Sequence, residues 1–184
     1  MKMRFLAPVL GALVLVTGCA NTVKPAPQIT YEQAASDKFI PTNYAAADRL
    51  INHIKPNISP RNTLIIATLA NIDDLNSSST LGRLVSEQIS ARFTQHGYRM
   101  VELKFRNDVY MAQGQGELML TREIHDLANS HSAQAVIVGT YAESRDFVYV
   151  NLKVIQPNTN TVLAVSDFAL PMNDNNRRML RRAR

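Results

Sequence analysis

The stretch DFVYVNLKVIQPNTNTVLAVSDFAL, residues 146–170, decides the fold. Two sets of side chains alternate through its first half, which is the two-residue period of a strand with one buried face. The turn sequence PNTN and the apolar segment TVLAVSDFAL then predict an antiparallel hairpin whose other face is in solvent. The residues expected to be buried are Val148, Val150, Leu152 and Val154, and those expected on the opposite face are Phe147, Tyr149, Asn151 and Lys153.

Helical and strand patterns alternate upstream of the hairpin. The helical patterns cover residues 42–54, 81–96 and 122–131, and the strand patterns cover residues 63–69, 98–104 and 133–142. Thr42 and Thr121 are the expected N-caps of the first and third helices, and Gly97 is placed for a left-handed C-terminal cap. The order α-β-α-β-α-β-β-β predicts a single small α/β (α+β) domain, with helices packed on a mixed sheet that ends in the hairpin.

The N-terminal segment has the order of a lipoprotein export signal. Lys2 and Arg4 precede an apolar run over residues 5–16, which is shorter than the roughly 20 residues of a membrane-spanning helix. The only cysteine of the chain, Cys19, directly follows Gly18. The tetrapeptide VTGC resembles the bacterial lipobox, in which the chain is cut before the cysteine and the cysteine is acylated. Residues 1–18 are therefore predicted to be a signal peptide, cleaved between Gly18 and Cys19.

Acylation of Cys19 predicts a membrane anchor. One acyl chain binds a bilayer only marginally, whereas two or more hold a protein stably. The next residue is Ala20 rather than the aspartate that commonly retains lipoproteins at the inner membrane. We therefore expect the chain to be lipid-anchored in the outer membrane of a Gram-negative cell, on the periplasmic face or exposed at the surface.

The segment after Cys19 is polar and contains prolines, which is typical of a tether. Thr30 and Gln33 have the spacing of a capping box and predict a short helix over residues 31–38 within it. The mature chain is thus divided into a lipidated tether, residues 19–41, a folded domain, residues 42–171, and a basic C-terminal tail, residues 172–184.

The positive charge of the chain is concentrated in its last ten residues. The formal net charge is +5, but this segment holds five arginines and no acid, so the folded part is near neutral. Export excludes nucleic acid as a partner. The tail is expected to be a solvated, unstructured end, or to contact phosphate-bearing lipid or a protein partner. The arginines concerned are Arg177, Arg178, Arg181, Arg182 and Arg184.

Strong patterns of enzymes and metal sites do not occur: there is no C-x-x-C, H-E-x-x-H, G-x-S-x-G or phosphate-loop sequence. GQGEL, residues 114–118, lacks the third glycine of a dinucleotide fingerprint and is typical of a turn. His53 and His96 fall in the last turns of predicted helices, and His125 and His131 are spaced unsuitably for a shared metal. We therefore predict no catalytic, cofactor-binding or metal-binding residue.

Two other features are candidates for binding. Asp73 and Asp74 follow a predicted buried strand, at the edge where open α/β sheets bind ligands. They could hold a divalent cation or act as acid and base, or they could solvate the loop and favour the next helix N-terminus. The hairpin surface, such as Phe147 with Tyr149 or Phe168, is better suited to a protein interface, and an unpaired sheet edge would accept a partner strand.

Three stretches carry a family resemblance: LGRLVSEQ at residues 81–88, GQGELMLTREI at residues 114–124 and VIVGTY at residues 136–141. Together with the hairpin, they resemble the FlgO family of flagellar outer-membrane lipoproteins over residues 42–171. The last three strands more distantly resemble the amino-terminal domain of TolB and lipoproteins of the curli-secretion and penicillin-binding-protein-activator type. The resemblance implies a small α/β domain that serves assembly rather than catalysis.

The FlgO resemblance implies a non-enzymatic component of the flagellar basal body, close to the outer membrane and needed for a stable flagellum and for motility. It implies several copies in a ring, in contact with other basal-body proteins and, through Cys19, with lipid. It transfers no catalytic residue and no cofactor. The alternative is a periplasmic lipoprotein that activates or scaffolds a cell-envelope enzyme or secretion complex. An enzyme or small-molecule binder centred on Asp73 and Asp74 is the third hypothesis.

Overall fold

A computed structural model describes residues 30–103 and 122–181, in two units. The unit ending at Ser36 contains the helix α1 (Tyr31–Ala35). The Thr30 N–H donates to Gln33 Oε1 at 3.0 Å, and the Gln33 N–H donates to Thr30 Oγ1 at 3.3 Å. This reciprocal pair is a capping box, which confirms the predicted short helix, although α1 ends at Ala35 and not at Lys38.

The second unit begins at Asp37 and contains a six-stranded mixed sheet with helices on it. Its elements are α2 (Phe39–Ile54), β1 (Thr63–Ala67), β2 (Ala70–Asn71), α3 (Thr80–Gln95), β3 (Arg99–Leu103), α4 (Arg122–Ser130), β4 (Ala135–Glu143), β5 (Phe147–Gln156), β6 (Thr161–Pro171) and α5 (Asp174–Leu180). The strand order is β3-β1-β4-β5-β6, and β2 pairs with β4. Strand β1 is parallel to β3 and β4, and β2 is parallel to β4, whereas β5 is antiparallel to both β4 and β6. The predicted fold class is thereby confirmed. No helix among the described residues is long and apolar enough to cross a membrane.

The first strand stops earlier than its apolar sequence predicts, at Ala67 instead of Leu69. The Leu69 N–H donates to Ser86 Oγ at 2.9 Å, and Ser78 Oγ donates to the Leu69 carbonyl at 2.6 Å. Both backbone groups of Leu69 are therefore satisfied by side chains and not by a neighbouring strand. The chain rejoins the sheet at Ala70, where the short strand β2 pairs with β4.

The first helix of the domain begins at Phe39, so the expectation that Thr42 is its N-cap was wrong. Asp37 Oδ1 accepts a hydrogen bond from the Phe39 N–H at 2.7 Å, and Pro41 falls in the first turn, where its missing N–H costs nothing. Helix α2 packs along β6. Arg49 Nε donates to Ser166 Oγ at 3.2 Å across this contact.

Both ends of α3 are capped by side chains and backbone. Ser79 Oγ accepts from the Gly82 N–H at 3.2 Å. At the other end Gly97 has a φ of 90°, its N–H donates to the Thr94 carbonyl, and the Tyr98 N–H donates to the Phe93 carbonyl. This is a Schellman motif, which confirms the predicted role of Gly97.

The sheet has a different cover on each face. Helices α2, α3 and α5 cover one face and enclose the larger hydrophobic core, to which the hairpin contributes the four residues predicted to be buried. Helix α4 covers the other face over β1 and β4, with Ile124 and Ala128 in a smaller core. Ile155 alternates with Val154 along β5 and therefore lies in that smaller core. Towards β6 this second face is uncovered by any described element.

An ion-pair cluster joins α2 to α3. Arg92 Nε and Nη2 donate to Asp48 Oδ1 and Oδ2 at 2.8 and 2.9 Å, and His96 Nε2 lies 3.0 Å from Asp48 Oδ1. The guanidinium of Arg92 also lies over the Tyr44 ring, 5.4 Å from its centroid. The hydrogen bond from Arg92 lowers the pKa of Asp48 below its usual value of 3.8, despite some desolvation.

Replacing Asp48 with asparagine is expected to lower the free energy of unfolding at pH 7 by on the order of 0.5 kcal/mol, because water screens a pair this exposed. A carboxyl whose pKa is lowered by folding stabilises above its unfolded pKa and loses that contribution as the pH falls through the folded pKa. Urea unfolding should therefore show a difference at pH 7 that shrinks below about pH 4. Asp126→Asn, at an exposed α4 residue, is the control. An equal deficit at both pH values would contradict this role of the ion pair.

The C-terminal segment is folded as far as Leu180, so the expectation of an unstructured tail was wrong for these residues. Asn173 Oδ1 caps α5 by accepting from the Asn176 N–H at 2.8 Å, and Asn176 Nδ2 donates to the Pro171 carbonyl at 2.8 Å. Leu180 is buried in the larger core. Residues 182–184 lie outside the described residues.

Candidate functional site

The uncovered side of the hairpin is the candidate interaction surface, and we call it the open face. It comprises Phe147, Tyr149, Asn151 and Lys153 of β5 and Val165, Asp167 and Ala169 of β6. Phe147 is 44% exposed, Tyr149 is 54% exposed and Val165 is 43% exposed. The Phe147 and Tyr149 rings lie side by side, with centroids 6.2 Å apart. Large apolar side chains left this exposed on one continuous patch are typical of a protein-binding surface.

One residue expected on this surface is elsewhere. Phe168 pairs with Val150 in the hairpin, so its side chain lies on the opposite side of β6 from Asp167 and Ala169. It is half-buried against the larger core. The pair of exposed aromatic residues that the sequence predicted, Phe147 with Tyr149, is present without it.

A groove of about 500 Å³ runs across the open face. Tyr149 and Ala169 form its hairpin side, and Ala142 of β4 lies beneath it. Ile72, which is 51% exposed, forms the opposite wall from the turn after β2. Among the described residues that line it, Asp167 alone is charged, and its Oδ1 accepts from Asn151 Nδ2 at 2.6 Å. A groove of this kind suits an apolar or aromatic-stacking segment of another protein more than a polar small molecule.

Asp73 and Asp74 lie in the turn that carries Ile72, and both take part in local turn bonds. The Asp73 N–H donates to Asn71 Oδ1 at 2.9 Å, and Asp74 Oδ1 accepts from the Asn76 N–H at 3.3 Å. Within residues 30–103 and 122–181, no three His, Cys, Asp or Glu side chains come together in a way that could hold a metal ion. The two carboxylates are therefore placed in a loop-forming arrangement, without a third ligand from the described part of the chain.

None of the four histidines lines the groove, and none belongs to a metal-binding group among the described residues. His53 Nδ1 lies 2.7 Å from the Arg49 carbonyl in the last turn of α2, as its position predicted. His96 contacts Asp48 instead of a free carbonyl. His125 is on α4, and His131 follows the end of that helix.

A second cavity, of about 280 Å³, was not indicated by the sequence. It lies between α3 and the carboxyl ends of β1 and β3, where ligands of open α/β sheets bind. Arg83, Glu87 and Glu102 line it together with Thr68. No motif in the sequence connects these charges, because they come from a helix face and from a strand that are joined only in the folded domain.

The remaining predicted site residues divide into two groups. Arg177 and Arg178 are exposed on α5, and Arg181 follows its last residue. None of these three arginines forms an ion pair with a described carboxylate. The others lie outside the described residues: Gly18, Cys19, residues 114–118, Thr121, Arg182 and Arg184.

Comparison with known families shows which family the chain belongs to. The sequence profile of the family described as FlgO protein matches residues 44–175, most of the folded domain. The chain belongs to the FlgO family. The resemblance found in the sequence is thereby confirmed, and the FlgO-family chain is placed among flagellum-associated lipoproteins of the cell envelope. A search of curated proteins finds no match to its sequence.

Solved structures share the fold of this FlgO-family domain at low sequence identity. The LpoB C-terminal domain from Escherichia coli is 9% identical, with a TM-score of 0.53, over 73% of this chain and 98% of that one. The LpoB C-terminal domain from Salmonella enterica is 14% identical, with a TM-score of 0.48, over 70% of this chain and 97% of that one. At such identities the E. coli likeness establishes a common fold and nothing further.

Proposed function

We propose that the FlgO-family chain is an outer-membrane lipoprotein, anchored through Cys19, that acts as a non-enzymatic structural component of the flagellar basal body near that membrane. The family match over residues 44–175 is the observation that carries this proposal. The protein stabilises the flagellum by contacts with other basal-body proteins, and motility depends on it.

The geometry of the described domain supports a role in binding protein. Several exposed apolar side chains lie together on the open face, and the long strand β6 pairs with β5 on one side and with no described strand on the other. Both features are means by which one protein docks on another. The acyl groups on Cys19 hold the chain to the membrane, and the following segment gives the domain reach.

A second candidate function has one observation in its favour. The domain shares its fold with the LpoB C-terminal domain from Escherichia coli. This adds to the distant sequence resemblance of its last three strands to lipoproteins of the curli-secretion and penicillin-binding-protein-activator type. A deletion strain separates the two. Loss of motility with normal wall synthesis favours the basal-body role, whereas a wall defect in cells with intact flagella favours the activator.

Replacing Cys19 with serine is expected to abolish acylation and cleavage, and with them sorting to the outer membrane. Fractionation should find the variant absent from the outer membrane, and swimming should fall to the level of the deletion strain. Thr22→Ser, three residues further on, is the matched control and should behave as wild type. Normal swimming by cells whose Cys19→Ser protein is absent from the outer membrane would show that contacts alone position the domain.

A further inference from the structure

The groove on the open face is built for a side chain that is both flat and positively charged. Tyr149 presents an exposed ring along one side. One described carboxylate lines the groove, that of Asp167 on the hairpin. It forms no ion pair with a described cation. An arginine stacks on aromatic rings and binds carboxylates through a rigid fork of donors, so it fits both features.

The same chain offers such side chains on α5. Arg177 and Arg178 are exposed there and have no described carboxylate partner. They are held in place, because the helix is capped by Asn173 and anchored in the larger core by Leu180. An arginine on a fixed helix loses less freedom on binding than one on a loose tail.

These arginines cannot reach the groove of their own domain. Helix α5 contacts α3 and contributes to the larger core, so it lies on the helix-covered face of the sheet. The groove lies on the opposite face, which is lined by Tyr149 and Ala169. The body of the sheet separates the two surfaces, and only a second copy can bring them together.

We propose that copies of this chain associate head to tail, with the α5 arginines of one copy, Arg177 and Arg178, bound in the open-face groove of the next. The two surfaces are different patches of the molecule, so the contact is heterologous and each bound copy leaves one free groove and one free α5. Such contacts produce a ring when the rotation closes. The inference rests on the proposed function, in which several copies act near the outer membrane, and specifies how they bind one another.

Cysteine cross-linking in cells tests the contact. Ile72→Cys with Arg178→Cys in one chain should give, on mild oxidation, a ladder of dimers, trimers and larger species, because each copy has both halves of the contact. Ile72→Cys with Lys55→Cys, an exposed basic residue at the end of α2, is the matched control and should give no ladder. A product that stops at dimers, or no cross-linked product, would overturn the proposal.

Charge reversal tests the same contact without thiols, using the lipidated full chain in detergent. Arg177→Glu with Arg178→Glu should raise the Kd of self-association by about tenfold or more in sedimentation velocity. Asp167→Arg should weaken association similarly, and Asp167→Arg with Arg178→Glu should restore it. If the double-Glu variant assembles as wild type but no longer binds phosphatidylglycerol vesicles, the arginines serve a lipid surface and the proposal fails. If cross-linking gives the ladder but deletion of the protein leaves swimming intact, the contact is upheld and the flagellar role is rejected.

Discussion

Truncating Phe93 to alanine is expected to lower the free energy of unfolding by about 3–5 kcal/mol. Phe93 is fully buried on the sheet-facing side of α3. Its ring packs against Tyr98, with centroids 5.6 Å apart, and the Tyr98 hydroxyl donates to the Ile58 carbonyl at 3.0 Å. Removal of the ring therefore leaves a cavity in the larger core. Tyr98 cannot readily move to fill it, because its hydroxyl is bonded to the Ile58 carbonyl.

Urea unfolding followed by circular dichroism measures the Phe93 effect. Phe147→Ala removes the same ring from the open face, where the side chain is 44% exposed, and is the matched control. It should cost well under half as much, because little contact is lost and no closed cavity forms. Equal losses for the two variants would mean that the open face is covered in the free protein. A domain of this size has a total stability of about 5–15 kcal/mol, so Phe93→Ala should also reduce its level in cells.

Replacing Gly139 with valine is expected to be similarly damaging, through overpacking instead of a cavity. A Cβ at this position would lie 2.6 Å from the Asn151 carbonyl oxygen and 2.8 Å from Leu152 Cδ2. The carbonyl belongs to β5, which is paired with β4 on one side and β6 on the other, so it cannot move without disrupting the sheet. We expect a loss of about 3 kcal/mol or more, since overpacking in a core costs about 1–3 kcal/mol and here the neighbour is backbone.

Thermal unfolding measures the Gly139 effect, which should appear as a fall in Tm of roughly 10 °C for a domain of this length. Ala142→Val, in the same strand but beneath the open groove, is the control and should change the Tm little. A wild-type Tm for Gly139→Val would show that β4 and β5 can move apart in the folded protein. The two variants thus distinguish the tightly packed side of the sheet from the side left free for binding.

Local patterns predicted the parts of the fold that local contacts determine. The alternation in β5 fixes which side chains face the core, because each strand residue points opposite to its neighbour, and Phe147 and Tyr149 were accordingly predicted on the open face. Capping by Thr30 with Gln33 and by Gly97 was also predicted, since both devices use residues within one or two turns.

Features that depend on distant residues could not be predicted in this way. The break after Ala67 follows from hydrogen bonds to Ser86 and Ser78, which belong to another element. The groove acquires its second wall only when β2 pairs with β4 and brings Ile72 beside Tyr149. The arginine-rich end was expected to be unstructured because terminal segments are usually loose unless something holds them in place. Its helix is stabilised by a cap and by one buried leucine, whose effects the composition does not reveal.

The packing of α2 along β6 determines how the domain responds to tension. A pull on the segment before the second unit enters that unit at its first helix, which begins at Phe39. That helix is bound to the last strand of the sheet, with Arg49 donating to Ser166, so force on the N-terminal end is passed directly to the C-terminal strand. Tension on that segment therefore acts on the contact between α2 and β6 before it acts on any pair of strands. Under the proposed anchoring through Cys19, the first mechanical barrier is thus a contact between helix and sheet.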